Sequence, residues 1–211
     1  MALVFGVTTS TQEQPRPAGA ERKDAGEAQP FPPDVTIKQT VRTARGLLSY
    51  SATVGSLPVR DDKGKTIADV VFTSYVLADS TGASRPVTFA FNGGPGAASL
   101  YLNLGALGPK HMPFGGEGDV PSTPVQLADN PDTWLDFTDL VFVDPVGTGF
   151  SRSLVSDEES KKRFFTMKSD IQYLSRIIYD WLVKNDRMAS PKFLAGESYG
   201  GFRVPRLTHM L

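Results

Sequence analysis

The chain has 211 residues, 40% of them hydrophobic and 21% charged, which is enough apolar surface for one substantial core and too much for wholesale disorder. Its net charge of −1 supplies no electrostatic reason to expect nucleic acid or an anionic membrane as partner. It contains no cysteine, which excludes disulfides and thiolate metal sites, and no apolar run approaches the roughly 20 residues that span a bilayer.

In chain order, Met1-Ala2-Leu3-Val4-Phe5-Gly6-Val7 is apolar but short and lacks a basic n-region, so a clipped or misassigned start accounts for it better than the remnant of a signal peptide. Residues 8 to about 34 hold five of the 16 prolines with Ser, Thr, Gln, Glu and Lys, and almost no large apolar residue before Phe31. Such a segment cannot offset its ordering entropy by burial, so residues 1–34 are expected to be a disordered lead-in and 35–211 to belong to one folded domain. From Gly46 the pattern is strand-like. Leu47 to Gly55 and Ile67 to Leu77, separated by the turn-forming Asp61-Asp62-Lys63-Gly64, are expected to pair antiparallel.

Three short apolar runs then share one design. Pro86-Val87-Thr88-Phe89-Ala90-Phe91 ends in Asn92-Gly93-Gly94-Pro95-Gly96, and Leu140-Val141-Phe142-Val143 ends in Asp144-Pro145-Val146-Gly147-Thr148-Gly149. The third, Phe193-Leu194-Ala195, ends in Gly196-Glu197-Ser198-Tyr199-Gly200. Apolar strands that each release into a glycine-rich loop predict a parallel sheet whose carboxyl ends carry a site. Between the second and third, Phe164, Met167, Ile171, Leu174, Ile178 and Trp181 step by three and four, which predicts one helix over about residues 159 to 184 with a buried stripe. Strand, helix and strand in that order form a crossover, expected to be right-handed. The fold class is therefore α/β, with antiparallel lead-in strands followed by parallel strands and crossover helices.

Gly196-x-Ser198-x-Gly200 after an apolar run suits a nucleophile elbow, a sharp strand-to-helix turn that exposes the serine Oγ above the sheet. A hydroxyl needs a base before it attacks. His209 lies eleven residues on; along a helix at about 1.5 Å per residue it would sit roughly 16 Å away, against the ~3 Å reach of a general base. His111 follows Gly108-Pro109-Lys110 and reads as an exposed loop residue. The adjacent glycines at 93 and 94 let backbone N–H groups turn toward a ligand, so that, with the Tyr199 N–H, they are candidates for an oxyanion hole; taken alone the loop is a plain turn.

These residues resemble the serine carboxypeptidase family of α/β-hydrolases, and do so through several motifs in order. Asn92-Gly93-Gly94-Pro95-Gly96 with Leu107-Gly108-Pro109 is similar to its first block. Asn130-Pro131 with Trp134, then Asp144 to Ser151, is similar to the second, and Gly196-Glu197-Ser198-Tyr199-Gly200-Gly201 to its nucleophile signature. The resemblance runs from about residue 86 to the end and looks closest to the bacterial branch. It implies an α/β-hydrolase fold, of which this chain is the N-terminal half, and a serine-type carboxypeptidase acting on peptides with a free C-terminal carboxylate. It implies Ser198 as nucleophile and the N–H groups of Gly94 and Tyr199 as the oxyanion hole. Asn92, the Gly93 N–H and Glu197 would hold the substrate carboxylate, with a proton-bearing Glu197 able to donate to it. It implies no cofactor and no metal, and a periplasmic or secreted setting; it leaves the oligomeric state open. The triad Asp and His are absent from these residues, so the 211-residue chain is expected to be inactive alone. Two departures stand out. Ala106 occupies the place of a family acidic residue that shares a proton with the Glu beside the serine, and Ala97 that of a family cysteine. A related esterase or acyltransferase of the same fold, and a non-catalytic truncated product, are the alternatives.

Overall fold

The computed structural model describes residues 29–78, 84–112 and 126–211. The expected disordered lead-in lies outside the described residues up to 28. Residues 29–34 are held: Arg152 stacks 4.2 Å above the Phe31 ring, and Asp34 pairs with Lys184 at 2.6 Å.

Strand β1 (Val35–Thr43) opens a meander with β2 (Gly46–Arg60) and β3 (Thr66–Leu77). β2 and β3 pair antiparallel as their alternation predicts, with Gly55 opposite Phe72, across a turn in which Asp61 accepts from the Lys63 and Lys65 N–H groups. β1 is a strand the sequence reading did not assign. Its signal is a run of β-branched residues at alternate positions, Val35, Ile37 and Val41, of which only Val41 is buried.

β4 (Val87–Phe91) is buried at every position, the mark of a central strand covered on both faces. After it come a single helical turn, α1 (Leu100–Leu102), a π-type turn over Asn103–Leu107, and the short pair β5 (Lys110–His111) and β6 (Ala128–Asp129). His111 is thus half-buried in a two-residue strand, not an exposed loop residue. β7 (Asp139–Val143) and the two-residue β8 (Arg152–Ser153) precede α2 (Asp157–Phe164) and α3 (Met167–Lys184), and β9 (Lys192–Gly196) leads into α4 (Tyr199–Met210). The principal sheet runs β1-β2-β3-β7-β4-β9, with β8 added to β3. β7, β4 and β9 are parallel, and β3 joins them antiparallel through β7. The chain from β7 to β9 crosses over β4, which places the three glycine-rich loops at one end of the sheet. This is the α/β architecture the three strand-and-loop runs predict.

The expected single helix over 159 to 184 is two. Thr166 interrupts it as the N-cap of α3, accepting from the Ser169 N–H while the Ser169 hydroxyl accepts from the Thr166 N–H, a reciprocal cap that ends α2 and restarts the helix. Met167, placed on the buried stripe by spacing alone, is therefore 50% exposed at the first position of α3. The rest of the stripe holds. Ile171, Leu174, Ile178 and Trp181 cover one face of the sheet with Phe164 from α2, and the Trp181 ring meets Phe89 edge-on at 5.4 Å. Full burial of each such side chain contributes about 1.5–3 kcal/mol. Tyr50, Tyr75, Leu140 and Phe142 form the core on the opposite face. No helix among the described residues is long and apolar enough to cross a membrane.

Candidate active site

The site begins at the turn between β9 and α4. Ser198 has φ 53° and ψ −120°, in the left-handed half of backbone space that a side chain normally avoids. The Gly200 N–H closes the turn onto the Glu197 carbonyl at 2.7 Å, and the Glu197 N–H is held by the Phe91 carbonyl at 3.2 Å. The two flanking glycines have different reasons. A Cβ at Gly196 would run into the Gly200 backbone in the first turn of α4, and one at Gly200 into the Phe91 carbonyl at the end of β4. Helix and strand can approach this closely only without those side chains, and their approach lifts Ser198 and Glu197 into solvent, where both are exposed.

The loop after β4 lies against this turn. A Cβ at Gly93 would stand 2.7 Å from the Ser198 Cβ and 2.8 Å from the Tyr199 nitrogen, so the Gly93 backbone touches the candidate nucleophile directly. Asn92 is buried. Its Oδ1 accepts from the Leu102 N–H at 3.0 Å, which orients its Nδ2 toward Glu197 Oε2 at 3.5 Å. Gly94 has φ +108°, and its Cβ would stand 2.6 Å from the Gly96 nitrogen, so the loop has room only for glycine there. Asn92, Gly93, Glu197, Ser198 and Tyr199, named from the sequence, thus converge at one place, with Gly94 next along the same loop. Of the two histidines, His209 is in the last turn of α4, and His111 lies in β5.

Two neighbouring elements fix the loops. Asp144, just past β7, accepts from the Ser99 N–H at 2.8 Å, and burial pushes its carboxyl above the usual range, against hydrogen bonds from the Ser99 and Phe150 N–H groups. Asn130 donates through Nδ2 to the carbonyls of Ala106 and Gly108, both at 2.8 Å, and the Thr133 hydroxyl donates to the Leu107 carbonyl at 2.8 Å. The Asn130 motif therefore pins the π-type turn, and Ala106 leaves a methyl on an exposed stretch of it.

The sequence reading missed one set of groups behind the loop. Arg203 on α4 and Asp170 on α3 are buried and paired, Nε to Oδ2 at 2.7 Å. The Arg203 Nη1 donates to the Asn92 carbonyl at 3.1 Å. The Tyr173 hydroxyl donates to Asp170 at 3.3 Å and accepts from the Val146 N–H at 3.1 Å; burial, and next the Asp170 charge, push the phenol well above its ordinary range, so it stays protonated and can do both. A cleft of about 300 Å³, lined by Gly96, Val146, Gly147, Phe165, Tyr199 and Arg203 among others, opens beside this set. The available signal was a charge, Asp170, set directly beside the apolar stripe of α3.

A parallel strand releasing into a serine turn and then a helix, with glycine-rich loops gathered at the strands' carboxyl ends, is the arrangement of an α/β-hydrolase. The family model for serine carboxypeptidases matches residues 52–211, and the chain belongs to that family. It is similar to serine carboxypeptidase-like 9 of Arabidopsis thaliana, 26% identical over 170 residues that cover 78% of this chain and 36% of the relative. Serine carboxypeptidase-like 44 of the same plant is 33% identical over 147 residues, 67% of this chain and 28% of the relative. The pheromone-processing carboxypeptidase KEX1 of Saccharomyces cerevisiae is 29% identical over 164 residues, 72% and 21%. The chain therefore spans about a third or less of the length of these relatives. Among solved structures it is similar to the peroxisomal α/β-hydrolase Lpx1 of Saccharomyces cerevisiae, at a TM-score of 0.41 and 15% identity over 84% of this chain and 41% of that one.

Proposed function

We propose that the protein is a serine-type carboxypeptidase that releases the last residue of a peptide through an acyl-enzyme on Ser198. In this reading the Ser198 Oγ attacks the carbonyl of the final peptide bond, and the N–H groups of Gly94 and Tyr199 receive the developing oxyanion. The C–N bond then breaks, the terminal amino acid leaves with a proton on its amine, and water hydrolyses the ester. Asn92, the Gly93 N–H and Glu197 hold the substrate's carboxylate. In this reading the general base is neither His111 nor His209, and residues 1–211 by themselves are inactive. No cofactor or metal takes part.

The observation that carries this reading is the contact between Gly93 and the strained Ser198 turn, with Asn92 and Glu197 side by side at 3.5 Å. A simple esterase needs the nucleophile and the oxyanion donors, but it has no use for a buried amide facing a carboxyl beside them. The test is kcat/KM of the full-length protein on matched blocked dipeptides ending in a free acid or an amide. Ser198→Ala should abolish release of the terminal residue. A charge-assisted hydrogen bond contributes about 1.5–3 kcal/mol, so Glu197→Ala should lower kcat/KM roughly 10- to 100-fold on the acid and far less on the amide. Equal losses on both substrates would sink the carboxylate assignment.

A further inference from the structure

We infer that Arg203, locked by Asp170, is a positioning residue that aims the Gly93 N–H at the substrate's terminal carboxylate. The inference rests on the carboxypeptidase reading above and deepens it.

The Arg203 guanidinium divides its donors between α3 and the loop after β4. Nε and Nη2 go to the two oxygens of Asp170, at 2.7 and 3.5 Å, and Nη1 goes to the Asn92 carbonyl at 3.1 Å. Its flat face lies 4.9 Å from the centre of the Tyr199 ring. Arg203 is 3% exposed and Asp170 6%, so these bonds form away from competing water. The carbonyl it holds belongs to the peptide unit that joins Asn92 to Gly93. In a trans peptide the C=O and N–H point in opposite directions. A carbonyl drawn inward to a buried cation therefore turns the Gly93 N–H the opposite way, away from the Arg203–Asp170 pair, in a residue whose backbone packs against the Ser198 turn. The same bond polarises the peptide unit and strengthens its N–H as a donor.

Asp170 has a separate task. A long side chain reaching from α4 has many rotamers, and the two-point pairing with a carboxylate on α3 leaves it one. The Tyr173 hydroxyl, bonded to Asp170 and to the Val146 N–H, ties the loop after β7 to the same anchor. The anchor is not the sole link between the two helices, because Leu207 of α4 and the apolar stripe of α3 belong to one core. Its distinguishing feature is that the third donor leaves the helices and reaches the candidate site.

Removing one member of a buried pair strands the other charge, so the test uses Asp170→Asn with Arg203→Met, which removes both charges and keeps an acceptor for Tyr173. Arg203→Lys is the second variant, one donor nitrogen in place of three. Thermal melts establish folding, and kcat and KM are measured on the full-length protein with the matched acid and amide dipeptides. The double variant should lose roughly tenfold more kcat/KM on the acid than on the amide, mostly through KM, and Arg203→Lys should show a smaller loss with the same acid bias. If the double variant does not fold, the ratio in Arg203→Lys decides. A wild type that prefers the acid, with equal losses on both substrates in the variants, overturns the positioning role and leaves the carboxypeptidase reading standing. A wild type indifferent to the terminal carboxylate overturns both.

Discussion

At the amino end of β7, Asp139 is wholly buried and accepts from Arg187 Nη1 at 2.6 Å, Arg85 Nε at 2.8 Å and the Leu77 N–H at 2.9 Å. Arg187 spends its other donors on the Ser190 hydroxyl at 2.6 Å and the Arg85 carbonyl at 2.8 Å, so the cluster closes on itself and ties together the ends of β3, β4 and β7. At the carboxyl ends of the same strands another buried arginine and aspartate meet, but there one donor of Arg203 leaves the pair for the Asn92 carbonyl, behind a turn whose Glu197 and Ser198 side chains face solvent. The chemistry is alike and the outcome differs. A buried ion pair whose every bond ends within the scaffold serves folding, whereas one that spends a bond on a loop beside exposed polar groups is in a position to serve a site. The amino end should therefore answer mutation in stability and the carboxyl end in activity.

The largest effect expected from this contrast is at Asp139. Asp139→Ala leaves the Arg187 guanidinium, 5% exposed, without its anion, and stranding a buried charge costs about 3–5 kcal/mol. Denaturant unfolding of the variant should show a loss of that size or failure to fold. A loss under about 1 kcal/mol, the range of an exposed pair, would break the comparison at its structural end.

Gly93→Ala comes next and tests the other end. The added methyl must displace either the Ser198 Cβ or the Tyr199 N–H, and a misplacement near 1 Å at reacting groups can lower turnover by about a hundredfold. Overpacking costs about 1–3 kcal/mol of stability, less than at Asp139. Expected is a folded full-length protein whose stability falls by no more than about 1–3 kcal/mol and whose kcat/KM falls about a hundredfold; a variant as active as the wild type would remove Gly93 from the site.

The smallest effect is a pH dependence at Asp144, at the opposite end of β7 from Asp139. Its donors are backbone N–H groups with no cation among them, and burial raises it above the ordinary 3.8. The native chain then keeps a proton over a window in which the unfolded chain has lost it, so this residue's contribution to stability is present at the acid side and is lost as pH rises through the folded value. Melting temperatures of the wild type and Asp144→Asn, measured from about pH 4 to about pH 7, should shift against the wild type as pH rises. A constant difference across that range would contradict the raised carboxyl.

Much of this architecture is legible along the chain because its causes are local. Continuous apolar runs that fill β4 and β7, a glycine turn after each, and a serine between glycines that have no room for a Cβ are properties of a few adjacent residues, and they supplied Ser198 and the N–H groups of Gly93, Gly94 and Tyr199, whereas the roles of Asn92 and Glu197 came from the family resemblance. Local reading failed where two local rules competed. The three-and-four spacing through Met167 was outvoted by the Thr166–Ser169 cap, and the mostly exposed alternation of β1 was too weak to separate from a loop. It also failed wherever a partner is remote. Arg203 finds its acceptor 111 residues away in the Asn92 carbonyl and its anion 33 residues away in Asp170. A charged residue in a helical pattern reads by default as a solvated one, and only the packing of α3 and α4 on the sheet removes water from both and makes pairing the lower free-energy state. The sequence by itself thus determined the central strands β2, β3, β4, β7 and β9 and their glycine turns through sterics and burial pattern, and through its family resemblance the residues offered to the site. Tertiary structure alone decided which carbonyl is held from behind and which aspartate closes the scaffold, because those choices depend on who is brought together out of water.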